Sequence, residues 1–328
     1  MTSKFSQSAT RVVLSLTLCA FGLSQNVWAD PKPKAPVQDI QVKKSDFRAA
    51  FTIGYDGVVS DLTTLTATVM PNEVLTVTTL AEARSETGSL APAKLGWQWT
   101  APDLPGLHTL LFELDGEAIT LNVFVLTPFR NGIDKTLRGY KIGSYTKVKY
   151  RGLDAYAEPR GFIDLSHGGK GLKISPHFTL GQFICKQQPG HDPTFLLIRP
   201  DTLIKLETLL EAANAKGWKA DSLHVMSGYR TPTYNRGIGN KTTSSRHLYG
   251  GAADVWIDGD GDGQMDDLNK DGKINKNDAR EFAKLAEGLA KKGGRNWPDG
   301  GLGIYGSNAA HGPFVHIDSR GFKARWGH

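Results

Sequence analysis

Cysteine is almost absent from this chain: there are two, Cys19 and Cys185. Cys19 lies in an N-terminal apolar stretch that reads as a leader, so the mature chain keeps a single thiol. One thiol forms no internal disulfide, and a buried structural role for Cys185 is expected over a catalytic one. Long apolar runs are equally scarce. Val12 to Leu23 is nearly continuous but short for a bilayer span. With Lys4 and Arg11 ahead of it and Val27-Trp28-Ala29 behind, it has the build of a secretory signal over residues 1–29. Leu18 stands before Cys19 where a lipoprotein needs a small residue. No later stretch suggests a transmembrane helix, so the mature chain is expected to be exported and soluble. Also missing is a Lys/Arg stripe with interleaved aromatics, which argues against nucleic acid as a partner. The formal charge of +6 includes Lys4 and Arg11. Without them the balance stays mildly basic, which suits approach to an anionic wall or membrane surface.

The rest is ordinary globular material, 39% hydrophobic and 22% charged, so neither disorder nor a fibrous repeat is indicated. Residues 30–39 are rich in Pro and Lys and read as a linker. Residues 40–128 carry short β-type runs, Leu65 to Met70 and Glu73 to Thr79 among them. Leu110 to Glu113, Asp115-Gly116 and Ala118 to Leu126 give a hairpin signal. This region reads as an all-β sandwich-like domain without a catalytic cluster, a positioning module or the docking surface for a protein partner. Residues 129–174 read as an irregular connector or the opening strands of the second domain. From residue 175 onward the pattern is α+β. A helix is expected after Pro200, capped by Asp201, with Leu203, Leu206, Leu209, Leu210 and Ala213 on one face and Gly217 ending it. Leu223 to Met226 reads as a buried strand, and Ala279 to Lys292 as a second helix.

The chemistry concentrates in Ser245-x-His247-x-x-Gly250-x-Ala252-x-Asp254. A hydrolytic zinc takes three protein ligands and keeps one position open. Gly250, Gly251, Ala252 and Ala253 remove bulk around a would-be metal, and Asp254 enters the strand-like run Val255-Trp256-Ile257. The third ligand is expected from Phe314-Val-His316-Ile-Asp318. There His316 and Asp318, two apart on a strand, share a face.

Together with Ser227-Gly-Tyr-Arg230, these motifs resemble the D-alanyl-D-alanine carboxypeptidase family of zinc metallopeptidases, in its branch of exported bacterial peptidoglycan endopeptidases. The resemblance covers about residues 175–328. It implies Zn2+ held by His247, Asp254 and His316 on an α+β domain with a small antiparallel sheet. It also implies cleavage of peptidoglycan stem or cross-link peptides in the periplasm. Arg230 is then the expected electrophilic helper or carboxylate holder, and Ser245 a substrate contact or loop-orienting residue. The family often carries a proton acceptor two or three residues before the last ligand, where this chain has Phe314 and Pro313. Asp318 is the expected base or, equally, a partner that orients His316.

An acidic insert, 258–278, comes after Asp254. Its second half fits a calcium loop, with Asp267, Asn269, Asp271, the Lys273 carbonyl, Asn275 and Asp278 as ligands and Gly272 at the turn. Asp278 stands where Glu is usual, which resembles dockerin-type loops. The first half, Asp258, Asp260, Asp262 and Asp266, suggests a second Ca2+ site. Calcium is expected to be structural. The alternative from another class is a non-catalytic wall-binding or scaffold protein with structural zinc and calcium. A third is a calcium-dependent adhesin.

Overall fold

Branched and aromatic residues alternate with polar ones through the first ordered stretch, and they pair into two sheets around one core. The computed structural model describes residues 47–327, so the expected signal and linker lie outside it. β1 (Arg48–Tyr55), β2 (Val58–Leu62), β4 (Val74–Thr78), β6 (Ser89–Ala93) and β7 (Gly96–Thr100) form a sheet in the order β2-β1-β4-β7-β6. β3 (Thr64–Val69), β5 (Glu82–Ser85), β8 (Gly106–Leu114) and β9 (Glu117–Val125) form the other, β3-β9-β8-β5. Ile53, Leu75, Val77 and Trp99 from the first sheet meet Leu65, Leu110, Leu121 and Val123 from the second. The β8–β9 turn places Asp115 and Gly116 both at positive φ, 52° and 82°, the twist that a two-residue hairpin requires. β3 and β9 run parallel, a pairing that turn signals do not reveal.

Residues 129–174 are no loose connector. β10 (Thr127–Pro128), β13 (Gly161–Asp164) and β14 (Phe195–Leu196) make a three-stranded sheet, and β11 (Thr136–Leu137) pairs with β12 (Tyr140–Lys141). Phe129, Tyr140, Ile142, Tyr145, Tyr156 and Phe162 join the same apolar core as residues beyond 175.

Helix α1 (Pro200–Ala215) starts with Pro at its first turn, where a missing N–H costs nothing. Arg199, not Asp201, takes the N-cap position, and its side chain makes no capping bond. Asp201 sits in the first turn, where a negative charge suits the helix dipole. The helix is buried on more than one side, because Ile204 and Lys205 are buried along with the expected stripe. Next come β15 (Leu223–Ser227), the short helix α2 (Pro232–Gly237), β16 (Ala252–Ile257), helix α3 (Lys276–Lys292), β17 (Gly301–Tyr305), β18 (Phe314–Asp318) and β19 (Ala324–Trp326). The strands order as β15-β16-β18-β17-β19. All pairs are antiparallel except β17 with β19, so the sheet is mixed and not purely antiparallel as expected. Ala253, Val255, Ile257, Leu302, Ile304, Val315 and Ile317 lie in the apolar core. The alternate residues Asp254, Trp256, Phe314, His316 and Asp318 take the other face, since side chains switch sides at every step of a strand. α3 begins with a capping box, in which Asn275 and Asp278 each bond the other's backbone N–H.

In the N-terminal core, Leu75 on β4 is 2% exposed. Leu75→Ala should cost about 2–5 kcal/mol, read as a lowered denaturation midpoint by near-UV circular dichroism.

Candidate metal centre

The antiparallel register of β16 and β18 sets Asp254 opposite His316. His247 reaches them from a 3-10 turn, Arg246–Tyr249, that ends at Gly250. Gly250 has φ 65°, and a Cβ there would run into the Leu197 backbone. Only glycine turns the chain this tightly from ligand to strand. The turn is fixed from below by Arg246, which is buried, donates to the Ala155 carbonyl and lies 4.6 Å from the Tyr156 ring.

Three ligand atoms converge. His316 Nδ1 lies 2.8 Å from Asp254 Oδ1, His247 Nε2 lies 3.3 Å from the same oxygen, and the two nitrogens are 3.2 Å apart. A tetrahedral zinc with bonds of about 2.0–2.1 Å spaces its ligands about 3.3 Å apart. The far atoms set the tautomers. His247 Nδ1 donates to the Gly228 carbonyl at 2.7 Å, and His316 Nε2 donates to Asp318 Oδ2 at 2.9 Å. Each ring therefore turns a bare nitrogen lone pair toward Asp254 Oδ1. Two imidazole lone pairs and a carboxylate oxygen, all buried, repel one another unless a cation or a proton stands between them. The donor set fits zinc.

Electrostatics reflect this crowding. Burial would raise the Asp254 carboxyl, but His247 and His316 hold it well below the carboxylate range. Burial pushes the His247 imidazole down. Burial pulls His316 the same way, but its bonds to Asp254 and Asp318 outweigh that and bring it up to about 8.

Asp318 is behind His316, on the nitrogen that faces away from the convergence point. Its oxygens are taken by His316, by Arg320 through Nε at 3.0 and 2.9 Å and through Nη2, and by the Gly301 N–H at 2.7 Å. Burial is outweighed by these partners, and the carboxyl sits far below its ordinary range. Arg230 binds Asp254 Oδ2 through Nη2 and Ser227 Oγ through Nε at 2.7 Å, and its own N–H bonds the His247 carbonyl. It grips the ligand's second oxygen. Ser245 precedes the 3-10 turn and its half-buried side chain makes no capping bond.

Sequence reading missed Arg320, Lys205, Trp326 and Tyr305. Lys205 Nζ donates to the Asp318 carbonyl at 2.8 Å. Trp326 lies 5.1 Å from the His316 ring and fills the space over Gly303, where a Cβ would strike it. Its Nε1 donates to Tyr305 Oη at 2.8 Å, and Tyr305 stacks flat on Phe314, centroids 4.4 Å apart. No sequence signal marks them; the folded sheet pairs Gly303 with both His316 and Trp326.

In the acidic insert, carboxylate oxygens of Asp258, Asp260 and Asp262 lie within 4.8 Å of one another. Asp258 Oδ1 is buried without a partner, and Asp266 accepts the Gly259 N–H. In the second half, Asp267 accepts the N–H groups of Asp271 and Gly272, and Asn269 and Asp271 accept those of Asp271 and Lys273. Asn275 Nδ2 donates to the Lys273 carbonyl. Asp278 is wholly buried and accepts the N–H groups of Asn275 at 2.8 Å and Asn269 at 3.3 Å.

Among curated proteins and among solved structures, no match to the chain was found. Residues 176–285 match the family model Peptidase M15. The match contains Arg230, Ser245, His247 and Asp254 and stops before His316, which the sheet brings back to them. Peptidases of this family depend on zinc, and the buried His-Asp-His group is one that can hold it. Residues 176–285 of this chain are thus similar to the Peptidase M15 family, a family of metallopeptidases.

Proposed function

We propose that the chain is an exported zinc peptidase that hydrolyses peptidoglycan stem or cross-link peptides in the periplasm. The observation that carries it is the convergence of His247 Nε2, Asp254 Oδ1 and His316 Nδ1 with both tautomers set from outside. Zinc bound there would supply Lewis acidity for amide hydrolysis. The protein residues do the rest. Arg230 holds Asp254 in place, and its fixed charge beside the ligands favours an anionic carbonyl oxygen or a substrate carboxylate. Asp318 keeps the proton on His316 Nε2 and the lone pair on Nδ1. Ser245 stands at the entrance to the His247 turn with its hydroxyl available to a peptide. Tyr305 accepts from Trp326 and keeps its own O–H to donate, on the sheet face that carries the ligands. The wall substrate rests on the family likeness, the leader-like N-terminus and the basic balance of the chain.

A second reading, a wall-binding protein with structural zinc, is favoured by Pro313 and Phe314 standing where a proton acceptor is usual. One experiment separates them. Mature protein incubated with purified sacculi should release muropeptides, and His247→Ala should abolish the release. Release that survives this change, or none from the wild type, sinks the peptidase reading. Arg230→Gln should lower kcat/KM about 100- to 1000-fold if its charge serves the oxyanion.

We further propose that the insert binds Ca2+ as a structural ion. Support comes from the gathered Asp258, Asp260 and Asp262 and the unpartnered buried oxygen of Asp258. At about 100 times its Kd, one such ion adds about 2.7 kcal/mol of stability. A calcium-selective chelator should therefore lower Tm by several degrees. An unchanged melting curve would overturn the calcium proposal.

A further inference from the structure

Two adjacent residues of helix α1 serve different neighbours. Ile204, 2% exposed, belongs to the core of the two N-terminal sheets, and among the described residues it is the one member from outside residues 49–125. Lys205, 1% exposed, places Nζ 2.8 Å from the Asp318 carbonyl and 5.2 Å from the Trp297 ring centroid. The division continues along the helix. Toward the N-terminal sheets, Glu211 accepts from Arg48 Nε at 2.9 Å and Nη2 at 2.8 Å. Glu207 accepts from the backbone of His177 at 2.8 Å, and the His177 ring lies 3.9 Å from Phe47. Toward β18, Thr202 Oγ1 meets Ser319 Oγ at 2.7 Å, and Ser319 Oγ donates to Asp201 Oδ1 at 2.9 Å.

A buried ammonium is costly, and a hydrophobic residue of similar volume would fill its space at less expense. Among the described residues, the one hydrogen bond of the Lys205 side chain acts on the residue that aims His316. The N-terminal sheets in turn press on α1 through the neighbouring position. Among the described residues, the groups that could hold a metal all lie outside those sheets. Support of the site through α1 gives the sheets a role that needs no ligand of their own.

We propose that helix α1 is a brace through which the N-terminal sheets hold the metal centre in shape, with Lys205 as a positioning residue for His316. Lys205 fixes the Asp318 backbone, the Asp318 carboxylate fixes His316 Nε2, and Nδ1 is thereby aimed. The brace rests on the proposed metal site at the His-Asp-His group, and not on what the site cleaves.

The test uses the full mature chain, Zn2+ affinity by chelator competition, and the visible absorption of the Co2+-loaded protein as a report of ligand geometry. Lys205→Met should weaken zinc about 10- to 100-fold, the usual effect of removing a partner that orients a ligand, and should alter the Co2+ bands. Lys205→Arg, which keeps a donor, should recover part of the affinity. Ile204→Ala should weaken zinc in the same direction, whereas Leu75→Ala, in the same core but on β4 and not on α1, should leave affinity within twofold. Leu75→Ala also serves as the control for lost stability if Lys205→Met folds poorly. The brace is overturned if Lys205→Met binds zinc within twofold of wild type with unchanged Co2+ bands. It is equally overturned if Ile204→Ala and Leu75→Ala weaken zinc alike. Zinc binding without muropeptide release would count against the peptidase reading and leave the brace standing. A wild-type chain that binds no zinc would overturn both.

Discussion

Asp254 and His316 face each other across two antiparallel strands, and His247 is held against them by a turn that only a glycine can close. Cross-strand neighbours lie close by the geometry of the pleat, so the sheet register brings these two ligand atoms together without any flexible loop. That closeness has a cost. Three electron-rich atoms share a buried space, and the fold must keep them there in the absence of a cation. Much of the surrounding structure can be understood as the means of doing so.

Each carboxylate of the site is matched by an arginine. Arg230 takes the outer oxygen of Asp254, and Arg320 takes both oxygens of Asp318. The arginines leave the inner Asp254 oxygen and the His316 Nδ1 lone pair uncommitted to the rest of the protein. At Asp318 the planar fork of Arg320 suits this task, because it holds a carboxylate in one orientation where a lysine would only attract it. The same matching holds Asp318 in one orientation behind His316. Its oxygens are taken by Arg320, Gly301 and His316, and it meets His316 on the ring nitrogen that faces away from Asp254.

The grouping of His247, Asp254 and His316 was legible from the sequence because local spacing carries it. His247 and Asp254 lie within one motif, and His316 stands out as a polar residue in a short apolar run. The helices were legible for the same reason, although α1 shows the limit. Its apolar stripe was visible, but Ile204 and Lys205 fall off that stripe and would pass for a stray hydrophobe and a solvated charge. What they touch is set by packing between distant segments: Lys205 and Asp318 stand 113 residues apart in the chain. Arg320 and Trp326 were illegible on the same grounds. The parallel β3–β9 and β17–β19 pairings were also hidden, since turn signals speak only for neighbours in sequence. Residues 129–174 lack periodicity, so their tyrosines and phenylalanines gave no hint of the core they complete.

The acidic insert can be placed in the same scheme. β16 carries Asp254 and ends at Ile257, and Asp258 opens the insert immediately after it. The insert closes on Asp278, which is buried and completes the capping box of α3 with Asn275, and α3 packs against β17 and β18. The segment thus begins at the end of one ligand strand and finishes on the helix that backs the other. A chain with so many aspartates repels itself when extended, and repulsion at its start would loosen the strand end beside Asp254. Neutralising charge at Asp258, Asp260 and Asp262 would act on β16, and tightening the turn at Asp278 would act on α3. Rigidity at the metal centre would then come from both sides of the sheet: α1 on the strand of His316 and the insert on the strand of Asp254.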